Sequence, residues 1–305
     1  MALLLQVLLG GFLMGGIYCL ISIGLSLTFG VMKIMNFAHG EFLMLGMYFC
    51  YFCLQKFGVD PYLSALVLTP FMFLVGIITY HFLVRPIVKK QEQYQMLFMV
   101  GLQFFMQNMA LAVFSSTPRT LTAKISSFNV HIGPVFVDAA KLIAMIISII
   151  ATIIFFYMMK RTDLGRKIRA TAEDAEAAAA HGVNVDKVNH LAFGIGTACA
   201  ALAAVLLAPI FQIEPTISNS YTTPAMIAIV LGGLGSFKGA AIGAYIVGIS
   251  MEIGNYLFGG FLVISLPLYR ILPWVGVKKP VNMEKMVVFP APLGPIMPRI
   301  SPFFT

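Results

Sequence analysis

The sequence predicts an all-α integral membrane protein, a multi-span helical bundle of about seven to eight spans or half-spans with glycine-interrupted helices. Two observations carry that prediction. The first is composition: 59% of the residues are hydrophobic and only 10% are charged, with a mean hydropathy of +0.91, whereas a soluble domain carries about 25% charged residues. The second is pattern, because the apolar residues fall in long blocks separated by short polar stretches.

A helix that crosses about 30 Å of hydrocarbon at 1.5 Å per residue needs about 20 mostly apolar residues. Blocks at 3–31, 62–84, 96–114, 139–159, 190–211 and 240–258 supply such lengths. Two others are shorter. The block at 42–54 reaches full length only by borrowing residues 36–41, and the block at 224–234 stops at Gly232, Gly233 and Gly235. The first block has no basic leader and no small-residue cleavage site, and its apolar run is too long for a secretory signal, so it is expected to span.

Lys and Arg are retained on the cytoplasmic side of short loops. Arg85, Lys89 and Lys90 mark one loop as inside, and Lys160, Arg161, Arg166, Lys167, Arg169 and Lys187 mark another. The intervening segment 115–138 holds only Arg119 and Lys124 and is expected outside. Counting across the spans puts Lys33 inside, and the N-terminus and residues 211–223 outside. The net charge of +8 follows from this loop bias and does not point to nucleic acid, since the cations are dispersed over membrane-flanking loops.

Chemistry finds little support. Cys19, Cys50, Cys53 and Cys199 lie in apolar blocks as buried small hydrophobes, and the Cys50/Cys53 pair lacks the second pair that zinc requires. The sequence has no phosphate-binding loop and no nucleophile elbow, and His39-Gly40-Glu41 has the wrong spacing for a zinc protease. No cofactor, metal or catalytic residue is expected.

The segment 160–189 is the longest ordered-looking polar stretch. Its alanine-rich centre favours a short helix, with Glu173, Asp174 and Glu176 near the middle and Gly182 where that helix should end. A loop of this length in a tightly connected bundle is uncommon unless functional, so a docking element for a cytoplasmic partner is expected.

Glu176-Ala177-Ala178, three residues and then Gly182 resembles the coupling signature of permease subunits in ATP-binding-cassette importers, with Gly165, Arg166 and Arg169 ahead of it. Gly24-Leu25-Ser26-Leu27, Asn36-Phe37-Ala38-His39-Gly40-Glu41-Phe42 and Leu231-Gly232-Gly233-Leu234-Gly235-Ser236 resemble the smaller permease subunit of branched-chain amino acid importers. The likeness covers residues 1–260. It implies translocation of Leu, Ile and Val into the cytoplasm across a bacterial inner membrane. It also implies a second permease subunit, two cytoplasmic ATP-binding subunits that hydrolyse the ATP, and an extracytoplasmic substrate-binding protein. Permeases for urea and short amides share these motifs, and a self-contained secondary carrier is the rival class.

Glycine breaks in corresponding halves point to a transport site, since half-helix N-termini can face a cavity and hold a carboxylate. That reading selects Asn36, Phe37, His39, Gly40 and Glu41, and Gly232, Gly233, Gly235 and Ser236. The same glycines also suit close helix packing, as does Gly11-x3-Gly15, and the sequence leaves both open. Glu41 is expected to cap a helix or pair with His39 near the cytoplasmic interface rather than meet a substrate ammonium, because buried charges are generally paired.

The end departs from the family pattern. Where one more span is expected, 261–272 is interrupted by Pro267, and Pro280, Pro290, Pro292, Pro295, Pro298 and Pro302 follow. Such a run continues no helix, and the expectation is that 261–305 is an atypical, frame-shifted or otherwise non-native end.

Overall fold

A computed structural model describes residues 2–121, 129–132 and 135–264. The chain divides into Met1–Ile253 and Gly254–Thr305. The second unit is described only through the end of its helix, so the expected atypical segment beyond Ile264 lies outside the described residues.

Among the described residues, ten α-helices follow in order: α1 Ala2–Met32, α2 His39–Phe57, α3 Pro61–Thr79, α4 Glu92–Phe114, α5 Ala139–Arg161, α6 Asp163–Glu173, α7 Ala175–Ala180, α8 Val185–Leu207, α9 Ile217–Gly232 and α10 Phe237–Ile264. Among the described residues, six segments are long and apolar enough to cross a membrane. The shorter α2 and α9 are the two elements whose sequence blocks fell short. One small departure from a purely helical chain lies between α4 and α5, where β1 Asn129–Ile132 and β2 Val135–Asp138 pair antiparallel.

The helix α8 is the axis of the bundle. Two thirds of its apolar window is buried, against 17–28% for α3, α4, α5 and α10. The reason lies in its small residues, since apolar side chains gain nothing by leaving lipid tails and helices associate where backbones can approach closely. Gly24 of α1 meets Gly196, Gly46 of α2 meets Ala201 and Ala204, and Gly76 of α3 meets Gly194 and Thr197. Three neighbours thus each bring one glycine to the same helix. Gly11 and Gly15, in turn, pack against Tyr245, Gly248 and Ile249 of α10.

Cross-links between loops agree with the sidedness read from Lys and Arg. Arg119 and Ile213 exchange backbone hydrogen bonds of 2.9 and 2.7 Å, which joins the two segments expected outside. At the other end Arg85 pairs with Asp186 at 3.1 Å, and Lys33 Nζ donates to Ala172 O at 3.0 Å, which joins three segments expected inside.

The loop 160–189 holds two short helices rather than one, and its last residues begin α8. The break falls at Asp174, whose backbone is extended (φ −151°) and whose carboxylate accepts from the N–H groups of Glu176 and Ala177, both at 2.9 Å. An Asp that can satisfy the first donors of a new helix competes with continuation of the old one. The alanine-rich composition concealed that break.

Candidate functional site

Three features stand out: a buried polar cluster at the start of α2, the α6–α7 loop, and the glycine turn between α9 and α10.

The helix α1 ends at Lys33, a non-glycine residue in the left-handed region (φ 58°) whose N–H closes onto Phe29 O at 2.7 Å. Residues 33–38 then fold back into the bundle. Since α9 runs parallel to α1, with the rings of Tyr18 and Tyr221 at 6.1 Å, Ser22 Oγ donating to Ala225 O (3.4 Å) and Gly30 beside Gly235, residues on α1 give a depth scale. Gly40 packs against Ser218 and Thr222, and a Cβ on Gly24 would lie 3.2 Å from the His39 ring. The start of α2 is therefore level with the middle of α1, about 12 Å in from that helix's end at 1.5 Å per residue. A helix that begins at mid-depth after an unwound segment is the discontinuous element that transport sites use.

Asn36, His39 and Glu41 are at most 1% exposed there. Glu41 Oε1 accepts from Ser218 Oγ at 2.6 Å, while Glu41 Oε2, both ring nitrogens of His39, both polar atoms of the Asn36 side chain and Ser26 Oγ have no partner among the described residues. Polar groups left unmade in a membrane interior are costly and mark function by default. Phe37 is half-buried beside them. The expected pairing of Glu41 with His39 near the cytoplasmic interface is therefore corrected: the partner is Ser218, the depth is central, and no side chain caps α2. Ser218 was missed because the fold, and not the sequence, brings α9 alongside α2.

The second group of predicted residues does not join this cluster. Gly233 (φ 90°) and Gly235 (φ 82°) turn the chain between α9 and α10. Gly232 and Gly239 touch so closely that a Cβ on either would overlap the other's backbone. Ser236 Oγ accepts from Gly239 N at 3.2 Å and begins α10, beside Gly30 and Lys33 at the end of α1. One half-helix terminus is thus enclosed at mid-depth, and the other faces a cavity at the end expected inside.

In the 160–189 loop, Gly165 is buried where α5 turns into α6, and a side chain there would overlap Met158 O and Met159 O. Thr162 accepts from Gly165 N at 3.1 Å, and the guanidinium of Arg166 beside Asp163 holds that carboxyl below the usual carboxylate range. Arg169 is exposed. On α7 only Ala178 is buried, so Glu176 and Ala177 present themselves outward. The helix ends in a Schellman motif: Gly182 (φ 82°) donates to Ala179 O at 2.9 Å and Val183 donates to Ala178 O at 3.0 Å. A short, capped and outward-facing helix is a docking shape.

Elsewhere, Gln103 Nε2 donates to Asn219 Oδ1 at 2.9 Å, an interhelical bond between α4 and α9. No group of three or more metal-ligating side chains exists among the described residues.

Comparison with known proteins gives one family, described as branched-chain amino acid transport system / permease component, which matches residues 7–287 and so takes in part of the segment expected to be atypical. The chain is 29% identical to the high-affinity branched-chain amino acid transport system permease protein BraD of Pseudomonas aeruginosa, over 84% of this chain and 87% of that protein. It is 30% identical to the corresponding LivH of Escherichia coli, over 82% and 86%. A probable LivH from Methanocaldococcus jannaschii is 28% identical over 85% of each. No solved structure matches.

Proposed function

Because the chain belongs to the family of permease components of branched-chain amino acid transport systems, we propose that it forms, with a second permease subunit, the gate of an ATP-driven importer for Leu, Ile and Val. It is a multi-pass membrane permease; ATP hydrolysis belongs to two separate cytoplasmic subunits, and an extracytoplasmic binding protein delivers the substrate. The setting is a bacterial inner membrane, with lipid around the bundle and no role for nucleic acid. Residues 1–260 form the permease domain, 160–189 within it the coupling loop, and 261–305 an atypical end.

The observation that carries the coupling role is the outward face of α7, fixed between the Asp174 cap and the Gly182 turn. The same loop is tied to the bundle through Lys33 and Ala172. Movement of α6–α7 on closure of the ATP-binding subunits therefore pulls on the end of α1. The return segment that places Asn36, His39 and Glu41 begins there, so one displacement reaches both the docking face and the buried cluster. These polar groups form the pathway in this reading: Glu41 and the start of α2 meet the two charges of the amino acid when the bundle opens.

The test is co-purification from the host membrane followed by reconstitution. Recovery of two ATP-binding chains and a second permease, with ATP-dependent leucine uptake that needs the binding protein, supports the assignment. Uptake driven by an ion gradient with this chain alone would overturn it.

A further inference from the structure

A cavity of about 890 Å³ opens where the cytoplasmic ends of four elements meet: the end of α1, the end of α5, α6 and the α9–α10 turn. Four cations line it, Lys33, Lys160, Arg169 and Lys238, with Glu173 as the single carboxylate. Lys33 is engaged by Ala172 O. The other three have no ion-pair partner within 4 Å among the described residues, and Arg169 and Glu173, one helical turn apart, do not pair with each other. One wall is apolar, built from Phe156, Met159, Leu234 and Phe237. The N-terminus of α10 also opens into the cavity, adding unsatisfied N–H groups and the positive end of a helix dipole.

Four cations crowded around a single carboxylate repel one another, and a concave basic surface between transmembrane helices on the cytoplasmic side suits a phosphate-bearing headgroup. We propose that this cavity binds the phosphate of an anionic ligand. Its apolar wall favours a membrane phospholipid over a free phosphate, because only the lipid has a greasy part to set against Phe156 and Phe237. The bound headgroup bridges α6 of the coupling loop to α1 and to the α9–α10 turn, so its presence tightens the link between docking face and gate. The site is independent of the cargo assignment and needs only the cytoplasmic orientation of the basic loops.

The test is native mass spectrometry of the full-length chain titrated with phosphatidylglycerol, phosphatidylcholine or inorganic phosphate. Phosphatidylglycerol is expected to form one persistent adduct that phosphatidylcholine does not displace. In the Lys160→Ala, Lys238→Ala double variant its affinity falls roughly thirtyfold, from two contributions of about 1 kcal/mol each. A Lys89→Ala, Lys90→Ala variant removes the same charge from another cytoplasmic loop and retains the adduct. Unfolding in neutral detergent, alike for all three chains, shows that the variants fold. Competition by inorganic phosphate at equal affinity would keep the anion site but refute the lipid. Equal binding by wild type and the Lys160/Lys238 variant, or equal loss in the Lys89/Lys90 variant, would overturn the proposal.

Discussion

Gly182 offers the sharpest separation of backbone conformation from contact. An added Cβ meets nothing within 4 Å among the described residues, so a methyl group at this position clashes with none of them. Its φ of 82° lies where an L-residue costs about 1–2 kcal/mol, and Asn tolerates it better than Ala. Gly182→Ala therefore weakens the two Schellman bonds by that amount and raises the open population of the last turn of α7 roughly 5- to 30-fold. Gly182→Asn does so by less. Hydrogen exchange of the backbone amides at positions 182 and 183 reads this local opening directly. Exchange should accelerate in the order Gly, Asn, Ala, with ATP-driven uptake in proteoliposomes falling in the same order. If exchange is unchanged in the Ala variant, the conformational reasoning is wrong. If exchange accelerates while uptake and ATPase docking stay at wild-type levels, α7 is not the coupling element.

Two further outcomes follow from packing and polarity. A Cβ on Gly24 would lie 2.8 Å from Gly196 O and 3.0 Å from Cys199 Cβ, so Gly24→Ala should destabilise the bundle by about 1–3 kcal/mol in micelle unfolding. Gly101→Ala, which meets nothing within 4 Å, should be neutral or gain up to about 1 kcal/mol from helix propensity; equal effects would refute the α1–α8 contact. Ser218→Ala leaves Glu41 Oε1 without its donor and should cost about 1–3 kcal/mol. Glu41→Gln keeps an acceptor for Ser218 and should retain more stability than Glu41→Ala, whereas indistinguishable Gln and Ala variants would show that this bond does not hold α2 to α9.

Much of the helical order was legible in the primary structure because membrane insertion acts segment by segment. Each span must satisfy its own backbone and present about 20 apolar residues to lipid, so composition within a window is enough. Which loops share an end was legible for a related reason, since the short loops that carry Lys and Arg group together. The end of α7 was readable because a left-handed residue after an alanine run is normally glycine. The hairpin between α4 and α5 left no such local signal, and Asp174 was hidden because Asp reads alike within a helix and at the start of the next one.

The sequence by itself determined that this chain is a helical membrane permease and where its helices are interrupted. Tertiary structure alone decided what those interruptions do. Pairing Glu41 with Ser218 across 177 residues, and enclosing Asn36 and His39 at mid-depth, depends on α9 lying parallel to α1 and against the start of α2. The gathering of Lys33, Lys160, Arg169 and Lys238 around one cavity likewise depends on four cytoplasmic ends converging. Local composition is set by the solvent each segment sees, whereas the meeting of distant polar groups is set by which helix faces can approach, and here the glycines and alanines along α8 govern that approach.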